Sequence, residues 1–203
     1  MRTHLARLRM IAVLILSFHI SSAAVFADPL KDARTALGRG DYAAALKLLR
    51  PAAEQGNANA QTDLGWLYEQ GNGVTQDFKE AMKWYRAAAD QGSARAQYNL
   101  GVMYFQGHGS AANFPEALKW YRMAAASGNA EALYNLGFMY ANGVGVPKDL
   151  SRGHMWWDLA SKQGVGAAWA NLDALTKMMT NEQLARAQEL EQKCATSNYK
   201  QCD

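Results

Sequence analysis

The chain has 203 residues, of which 49% are hydrophobic, and it carries 21 basic and 18 acidic residues, which gives a formal net charge of +3. All of the excess positive charge lies within the first nine residues, and beyond residue 27 basic and acidic residues are equal in number. A chain without net positive charge offers no attractive field to phosphates, so the composition argues against a nucleic-acid-binding protein.

The N-terminal segment has the pattern of an export signal. Three arginines precede the apolar run 11–16, and small residues follow up to Ala27, so cleavage before Asp28 fits. A membrane anchor is the alternative, but the apolar core is about ten residues long, whereas a membrane span needs roughly 20. The sequence predicts a signal peptide at residues 1–27 and a mature chain that is periplasmic or secreted, without stable membrane insertion.

From residue 57 onward the sequence repeats itself with a period of 36 residues. The recurring pairs are Leu64-Gly65, Leu100-Gly101 and Leu136-Gly137 in the first half of the period, and Trp84-Tyr85, Trp120-Tyr121 and Trp156-Trp157 in the second half. A fixed period of this size indicates stacked supersecondary units. Apolar residues within each unit recur at helical spacing, so each unit is predicted to be a pair of helices.

Helix start and stop signals divide these units into residues 57–92, 93–128 and 129–164. At one boundary, Gly92 ends a helix and Ser93 caps the next one, and the same roles recur at the other boundaries. The second helix of the first full unit is predicted to begin at Asp77, with Glu80 completing a capping box.

A glycine inside the first helix of each unit needs an explanation, because it costs about 1 kcal/mol relative to alanine. We expect close helix packing to offset this cost, with the missing side chain making room for an aromatic residue of the second helix. The glycines are Gly65, Gly101 and Gly137, and the expected aromatic residues are Trp84, Trp120 and Trp156.

The pattern A-x-x-x-L-G-x-x-Y, then G-x-G, then A-x-x-W-Y-x-x-A-A-x-x-G resembles the Sel-one-like repeat family, which is related to tetratricopeptide repeats. The resemblance implies an all-α fold, a right-handed α-solenoid of stacked helix-turn-helix repeats. Residues 28–56 are expected to form an N-terminal partial repeat. Residues 165–203 are expected to contain a degenerate repeat, a capping helix at residues 181–193 that covers the apolar end of the stack, and a C-terminal tail.

Cys194 and Cys202 are the two cysteines of the chain and lie eight residues apart. Because the chain is predicted to leave the reducing cytosol, a mutual disulfide is expected. A zinc site is the alternative, but no histidine lies nearby and structural zinc usually takes four ligands. The sequence predicts neither a metal site nor a cofactor.

Few motifs suggest catalysis. The glycine-rich loops, such as residues 71–73, lack the preceding strand and the third glycine of a dinucleotide site, so they are interpreted as turns. His108 and His154 fall in different parts of the repeat and form no pair. Ser197 and Lys200 spell S-x-x-K, a fragment of the penicillin-recognising enzyme signature, but they lie in the tail without a K-T-G partner. We therefore predict no catalytic residue.

The relatives suggest where a partner would bind. In tetratricopeptide proteins the first helix of each unit lines the concave face, and positions facing away from the packing glycine contact ligands. Transferred in register, these positions are Asn59, Thr62, Trp66, Glu69 and Gln70 in the first full unit, Arg95, Tyr98, Val102, Phe105 and Gln106 in the second, and Glu131, Tyr134, Phe138, Ala141 and Asn142 in the third. Packing against the next unit is the alternative role for several of the aromatic residues. Asn99, Asn135 and Asn171 are expected to form hydrogen bonds between units.

The sequence thus predicts an exported interaction module that binds a protein or peptide on its concave face and acts as an envelope adaptor, scaffold or regulator, not as an enzyme. Two alternatives remain open at this level: a penicillin-recognising envelope enzyme, which some cysteine-rich relatives resemble, and a secreted factor that acts on a host or neighbouring cell.

Overall fold

The computed structural model describes residues 29–197, 199 and 202. The predicted signal peptide, residues 1–27, lies outside the described residues. Within them the chain forms ten α-helices and no strand. These are α1 (Pro29–Gly38), α2 (Tyr42–Glu54), α3 (Ala58–Gln70), α4 (Phe78–Ala89), α5 (Ala94–Gln106), α6 (Phe114–Ala126), α7 (Ala130–Asn142), α8 (Leu150–Lys162), α9 (Gly166–Thr176) and α10 (Asn181–Thr196).

Successive helices pack as antiparallel pairs, and the pairs stack in chain order, so the predicted all-α solenoid is confirmed. The strongest packing is within the three full hairpins, α3 with α4, α5 with α6 and α7 with α8. Each hairpin then packs its second helix against the first helix of the next. None of the described helices is both long and apolar enough to cross a membrane.

The second helices begin at the predicted N-cap residues. Asp77 accepts hydrogen bonds from the backbone amides of Lys79 and Glu80 at 2.9 and 3.1 Å. The capping box predicted for Glu80 is wrong, because the Asp77 backbone amide that its carboxylate would have to bind donates to the Tyr68 carbonyl at 3.0 Å. The Glu80 carboxylate instead accepts hydrogen bonds from Lys83 Nζ at 3.1 and 3.2 Å.

The glycine in each first helix lies against an aromatic ring of its hairpin partner. A Cβ added at Gly101 would lie 2.5 Å from Tyr121 Cδ1, closer than real Cβ atoms approach. The corresponding pairs are Gly65 with Tyr85 and Gly137 with Trp157. The ring therefore occupies the space of the missing side chain, which explains why glycine stands inside these helices.

The expectation that Trp84, Trp120 and Trp156 fill this space is wrong by one position. Successive residues of a helix point about 100° apart, so the residue after each tryptophan faces the glycine. Trp120 instead turns back toward the preceding hairpin, where the guanidinium of Arg86 lies 4.5 Å from its ring. Trp84 likewise packs against the core formed by α1, α2 and α3. One aromatic position thus joins the two helices of a hairpin, and the other joins neighbouring hairpins.

Small residues also set the distance between helices. The repeated alanines are fully buried, namely Ala60, Ala96 and Ala132 in the first helices and Ala88, Ala124 and Ala160 in the second. Arginine and tyrosine pairs also tie successive hairpins together. The bonds run from Arg50 to the Tyr68 hydroxyl at 3.1 Å, from Arg86 to Tyr104 at 2.7 Å and from Arg122 to Tyr140 at 2.5 Å.

The glycine-rich loops are turns that dock on the preceding hairpin. Gly109 has a φ of +77°, a left-handed conformation that favours glycine, and a Cβ there would lie 2.8 Å from the Phe78 carbonyl oxygen. The equivalent glycines, Gly73 and Gly145, lie against Tyr42 and Phe114. The interpretation of these loops as turns is confirmed, and close backbone approach is the reason for their glycines.

The C-terminal pair departs from this pattern. Asp173 stands 36 residues after Gly137, so α9 cannot receive a ring against its backbone. The last helix packs along α8 and hardly contacts α9. Ser151 Oγ donates to the Gln183 carbonyl at 2.9 Å, Arg186 pairs with Asp149 at 3.0 Å, and Lys162 pairs with Glu191.

As a result, the predicted capping helix covers the end of the stack only in part. It shields α8, but it leaves Trp169 on α9 66% exposed and Met178 73% exposed. The tail beyond it is held by the predicted disulfide between Cys194 and Cys202, which is present, and both cysteines are buried in the core of the last hairpins.

Candidate functional site: the face of the first helices

A cleft opens over α5 and α7, at the centre of the row of first helices. Its volume is about 360 Å³. We call it the aromatic cleft, and it is lined by Tyr98, Val102, Phe105, Gln106, Tyr121, Tyr134, Asn135 and Phe138. Six of these residues belong to the predicted contact positions, and the structure brings them together from two successive repeats.

The phenylalanine rings of the cleft meet edge to face. The ring centroids of Phe105 and Phe138 are 6.1 Å apart with an angle of 71° between the planes, and those of Phe105 and Phe114 are 5.3 Å apart at 65°. This is a favourable aromatic geometry. Phe138 nevertheless keeps 38% of its surface exposed. The rings are therefore fixed by one another while one of them remains open to a ligand.

Hydrogen bonds from neighbouring helices hold the tyrosines in place. Asn171 Nδ2 donates to the Tyr134 hydroxyl at 3.1 Å, and Trp157 Nε1 donates to the Tyr134 carbonyl at 3.0 Å. Asn135 hydrogen-bonds to the hydroxyls of Tyr98 and Tyr121. These contacts confirm the predicted role of the asparagines in bonds across the repeat, and they give the cleft a fixed shape.

The cleft carries no charge. Burial raises the pKa of Tyr98, and the nearby Glu131 carboxylate raises it further, while the hydrogen bond to Asn135 acts in the opposite direction. Burial likewise raises the pKa of Tyr121. Both hydroxyls are therefore neutral at physiological pH, and none of the eight lining side chains is ionisable below the tyrosine range.

A second cleft of about 490 Å³ adjoins the first on the side of α3. It is lined by Trp66, Arg95, Tyr98, Asn99, Asn129 and Glu131. Tyr98 borders both clefts, so the two form one continuous surface. Trp66 is 37% exposed at this end, and the oppositely charged Arg95 and Glu131 line the same cleft.

Two of the predicted contact residues already have partners within the protein. Arg95 pairs with Asp63 of the preceding repeat, although most of its side chain is exposed. Glu69 accepts a hydrogen bond of 2.6 Å from the Tyr85 hydroxyl, which joins α3 to α4. Arg95 thus joins two repeats, and Glu69 joins the two helices of one repeat, in addition to any contact with a ligand.

The remaining predicted positions separate into surface and interior. Asn142 lines a smaller cleft of about 210 Å³ with Trp157 and Met178, and Gln70 and Gln106 are exposed at the ends of their helices. Ala141 is almost fully buried but lines the same small cleft as Asn142. Thr62 is buried, with its hydroxyl 3.2 Å from Ser93 Oγ of the next repeat, so its assignment as a contact position is wrong.

Sequence reasoning missed two residues of the aromatic cleft. Tyr121 lies on a second helix, α6, and reaches the cleft because Gly101 leaves its ring room to pass. The repeated glycine was therefore the available signal. Asn135 was assigned only to bonds between units, but it also lines the cleft.

The residues considered for chemistry lie apart from this surface. His108 stacks on Phe78 with centroids 4.5 Å apart, and His154 lies on α8, where burial lowers its pKa. Ser197 Oγ donates to the Cys194 carbonyl at 2.8 Å, while Lys200 lies outside the described residues. Among the residues that the structure covers, no group of three His, Cys, Asp or Glu side chains could hold a metal.

The helices stack as repeated hairpins whose first helices form one row, so the chain is a helical-repeat protein. The Sel1 repeat profile matches four segments, residues 36–57, 58–93, 94–129 and 130–165, which together make up more than half of the chain. The chain belongs to the Sel1 repeat family, whose helical repeats are general protein–protein interaction modules.

Two solved structures resemble the chain over most of its length. A Sel1 repeat protein from Oxalobacter formigenes shares 35% identity and a TM-score of 0.68, and the match covers 72% of this chain and 58% of the other. A protective antigen present in uropathogenic Escherichia coli strains, which displays an SLR fold, shares 31% identity and a TM-score of 0.71, with 79% of this chain and 37% of the other covered. The chain thus spans less than two thirds of either relative. No curated protein matches it in sequence.

Proposed function

We propose that the protein is an exported adaptor or scaffold that binds a protein or peptide partner on the face of its first helices. The observation that carries this proposal is the aromatic cleft, because it combines exposed aromatic area with a fixed shape. The family to which the chain belongs is one of interaction modules, which agrees with this role.

The composition of the cleft supports the proposal. Tyrosine and tryptophan are enriched at binding hot spots, since they bring a large contact area at a small cost in conformational entropy. Four of the lining side chains, Tyr98, Phe105, Tyr134 and Phe138, are aromatic residues on first helices. Their equivalents in other repeats are not all aromatic, as at Thr62 and Ala141, so the concentration of rings in two repeats is not required by the fold.

Two features of the chain support export. The segment before Asp28 has the arginines, apolar run and small residues of a signal peptide. The buried disulfide between Cys194 and Cys202 is the kind that persists in an oxidising compartment.

A second candidate is a secreted factor that acts on a host or neighbouring cell. It is supported by the likeness to the protective antigen of uropathogenic Escherichia coli strains. Fractionation of the cells that produce the protein separates the two candidates. Material in the periplasm favours the adaptor, and material in the culture medium favours the secreted factor.

A crosslinked pull-down from envelope extract tests binding on the first-helix face. The purified protein is compared with a Tyr98→Ala, Phe105→Ala, Tyr134→Ala variant and with a Trp169→Ala control, which removes an exposed aromatic residue outside the cleft. Circular dichroism first establishes that helicity is unchanged. We expect a partner that the protein and the control capture and the triple variant loses.

Capture of the same partner by all three proteins would place the binding site elsewhere. Capture of nothing by any of them would contradict the adaptor role in the envelope.

A further inference from the structure

We propose that the aromatic cleft binds a proline-rich segment of its partner in the polyproline II conformation. This inference rests on the proposed function and names the class of ligand that the same surface takes. It follows from the absence of charge in the cleft, from the geometry of its rings and from its hydrogen-bond donors.

The polar groups of the cleft complement a polyproline II backbone. Such a chain has no internal hydrogen bonds, and prolines have no N–H to offer, so its unpaired groups are carbonyl acceptors. The cleft supplies donors for them in the Tyr98 and Tyr134 hydroxyls and the Gln106 amide. Burial raises the pKa of Tyr98, so its hydroxyl keeps its proton and remains a donor at neutral pH.

The apolar part of the cleft suits proline rings. Phe105 and Phe138 meet at an angle of 71°, which creates a recess between ring faces instead of a flat platform. Val102 adds an aliphatic wall. Aromatic-lined grooves are a recurring way of recognising proline-rich segments, because ligand rings pack between aromatic side chains.

Both partners would be ordered before they meet. Tyr134 is held at its hydroxyl by Asn171 and at its carbonyl by Trp157, and the phenylalanines fix each other. A polyproline II segment is likewise preformed and loses little entropy on binding. Preorganisation lowers the free-energy cost of association, so a cleft of modest size can be enough.

Other ligand classes fit these observations less well. An acidic or basic peptide would find no opposite charge within the cleft, since its charged neighbours Arg95 and Glu131 lie in the adjoining cleft. Membership of a family of general protein–protein interaction modules favours a peptide over a glycan. Glycan binding is therefore kept as an outcome of the test.

Calorimetric titration of the purified protein with three probes tests the proposal. The probes are an acetylated and amidated peptide of about ten prolines, a glycine-serine peptide of the same length, and a short chitin oligosaccharide. We expect the proline peptide to bind about tenfold or more tightly than the glycine-serine peptide. Phe138→Ala should weaken this binding about tenfold, the effect of losing one hot-spot side chain.

Trp169→Ala provides the matched control, because it removes an exposed ring of α9 without touching the cleft, and it should leave proline-peptide binding unchanged. Equal binding of the two peptides, or binding that Phe138→Ala does not weaken, would overturn the proposal. Binding of the oligosaccharide without binding of the proline peptide would overturn it in favour of a glycan.

The pull-down described above separates failure of this inference from failure of the proposed function. If the proline peptide does not bind but the triple cleft variant still loses its captured partner, the ligand class is wrong and the interaction surface stands. If the proline peptide does not bind and the cleft variant captures the same partner as the unaltered protein, both proposals fail.

Discussion

The three full hairpins, α3 to α8, and the C-terminal pair, α9 and α10, hold their second helices in place in different ways. In each full hairpin a glycine lets the two helices approach until a ring of one lies on the backbone of the other, as Gly101 does for Tyr121. In the C-terminal pair the equivalent position is Asp173, and α10 packs along α8 instead.

The two regions therefore hold their second helices by different means. Where glycine is present, packing within the hairpin holds the two helices together. In the C-terminal pair, polar bonds to α8 hold the last helix, and the disulfide between Cys194 and Cys202 joins Cys202 to that helix. Four predictions test this contrast between packing and tethering, from the largest expected effect to the smallest.

Loss of a buried ring should be far more damaging in the full hairpins than at the C-terminal end. Trp120 is almost fully buried and packs on Arg86, so Trp120→Ala should lower the free energy of unfolding by about 3–5 kcal/mol. Trp169 is largely exposed, so Trp169→Ala should change it by no more than about 0.5 kcal/mol. Urea denaturation followed by circular dichroism measures both. Similar losses in the two variants would mean that the full hairpins and the C-terminal pair are packed alike.

Filling the glycine position should open a hairpin. Gly101→Leu places carbon atoms where the Tyr121 ring lies, and overpacking of this kind should cost about 3 kcal/mol, which outweighs the gain of about 1 kcal/mol in helix propensity. Gly166→Leu is the matched control in α9, because no atom lies within 4 Å of a Cβ there. Thermal unfolding of the two variants distinguishes them, and a Gly101→Leu protein as stable as the control would refute the close-packing explanation.

Removal of the disulfide should loosen the C-terminal end alone. Cys194→Ser opens a loop of eight residues, for which the chain-entropy model gives about 2.5 kcal/mol. Hydrogen exchange should then accelerate in α10 and remain slow in α3 to α8. Reduction of the unaltered protein with a thiol should have the same effect. An unchanged melting temperature after either treatment would show that the polar bonds to α8 hold the helix without help.

The smallest effect should appear as a pH dependence. Burial lowers the pKa of His154, an effect that the Asp158 carboxylate opposes and the Lys162 ammonium reinforces. Because the unfolded chain then binds a proton more readily than the folded one, the stability from a neutral His154 is complete above the unfolded pKa, about 6.5, and is lost as the pH falls through the lower folded pKa. His154→Gln should flatten the fall in melting temperature between neutral and mildly acidic pH. A fall as steep as that of the unaltered protein would assign the dependence to other groups.

Much of this architecture could be predicted from the sequence because the same helix and turn signals recur in each repeat. The 36-residue period, the helix caps such as Asp77 and the turn glycines are local signals, and the structure confirms them. The disulfide could be predicted as well, because the chain offers one pair of cysteines. Six residues of the aromatic cleft also lay in the predicted set, since the register places them on the first-helix face.

Only the tertiary structure decided the features that depend on the direction of a side chain or on the distance between helices. The choice of Tyr121 over Trp120 as the ring that fills the glycine space depends on a rotation of about 100° between neighbouring helix residues, which the repeat pattern does not reveal. The burial of Thr62 and the place of α10 along α8 depend on how closely whole helices approach one another. The sequence determined the helices and their order because caps and periodicity act within a few residues, whereas the cleft and the open C-terminal end arise from packing between segments far apart in the chain.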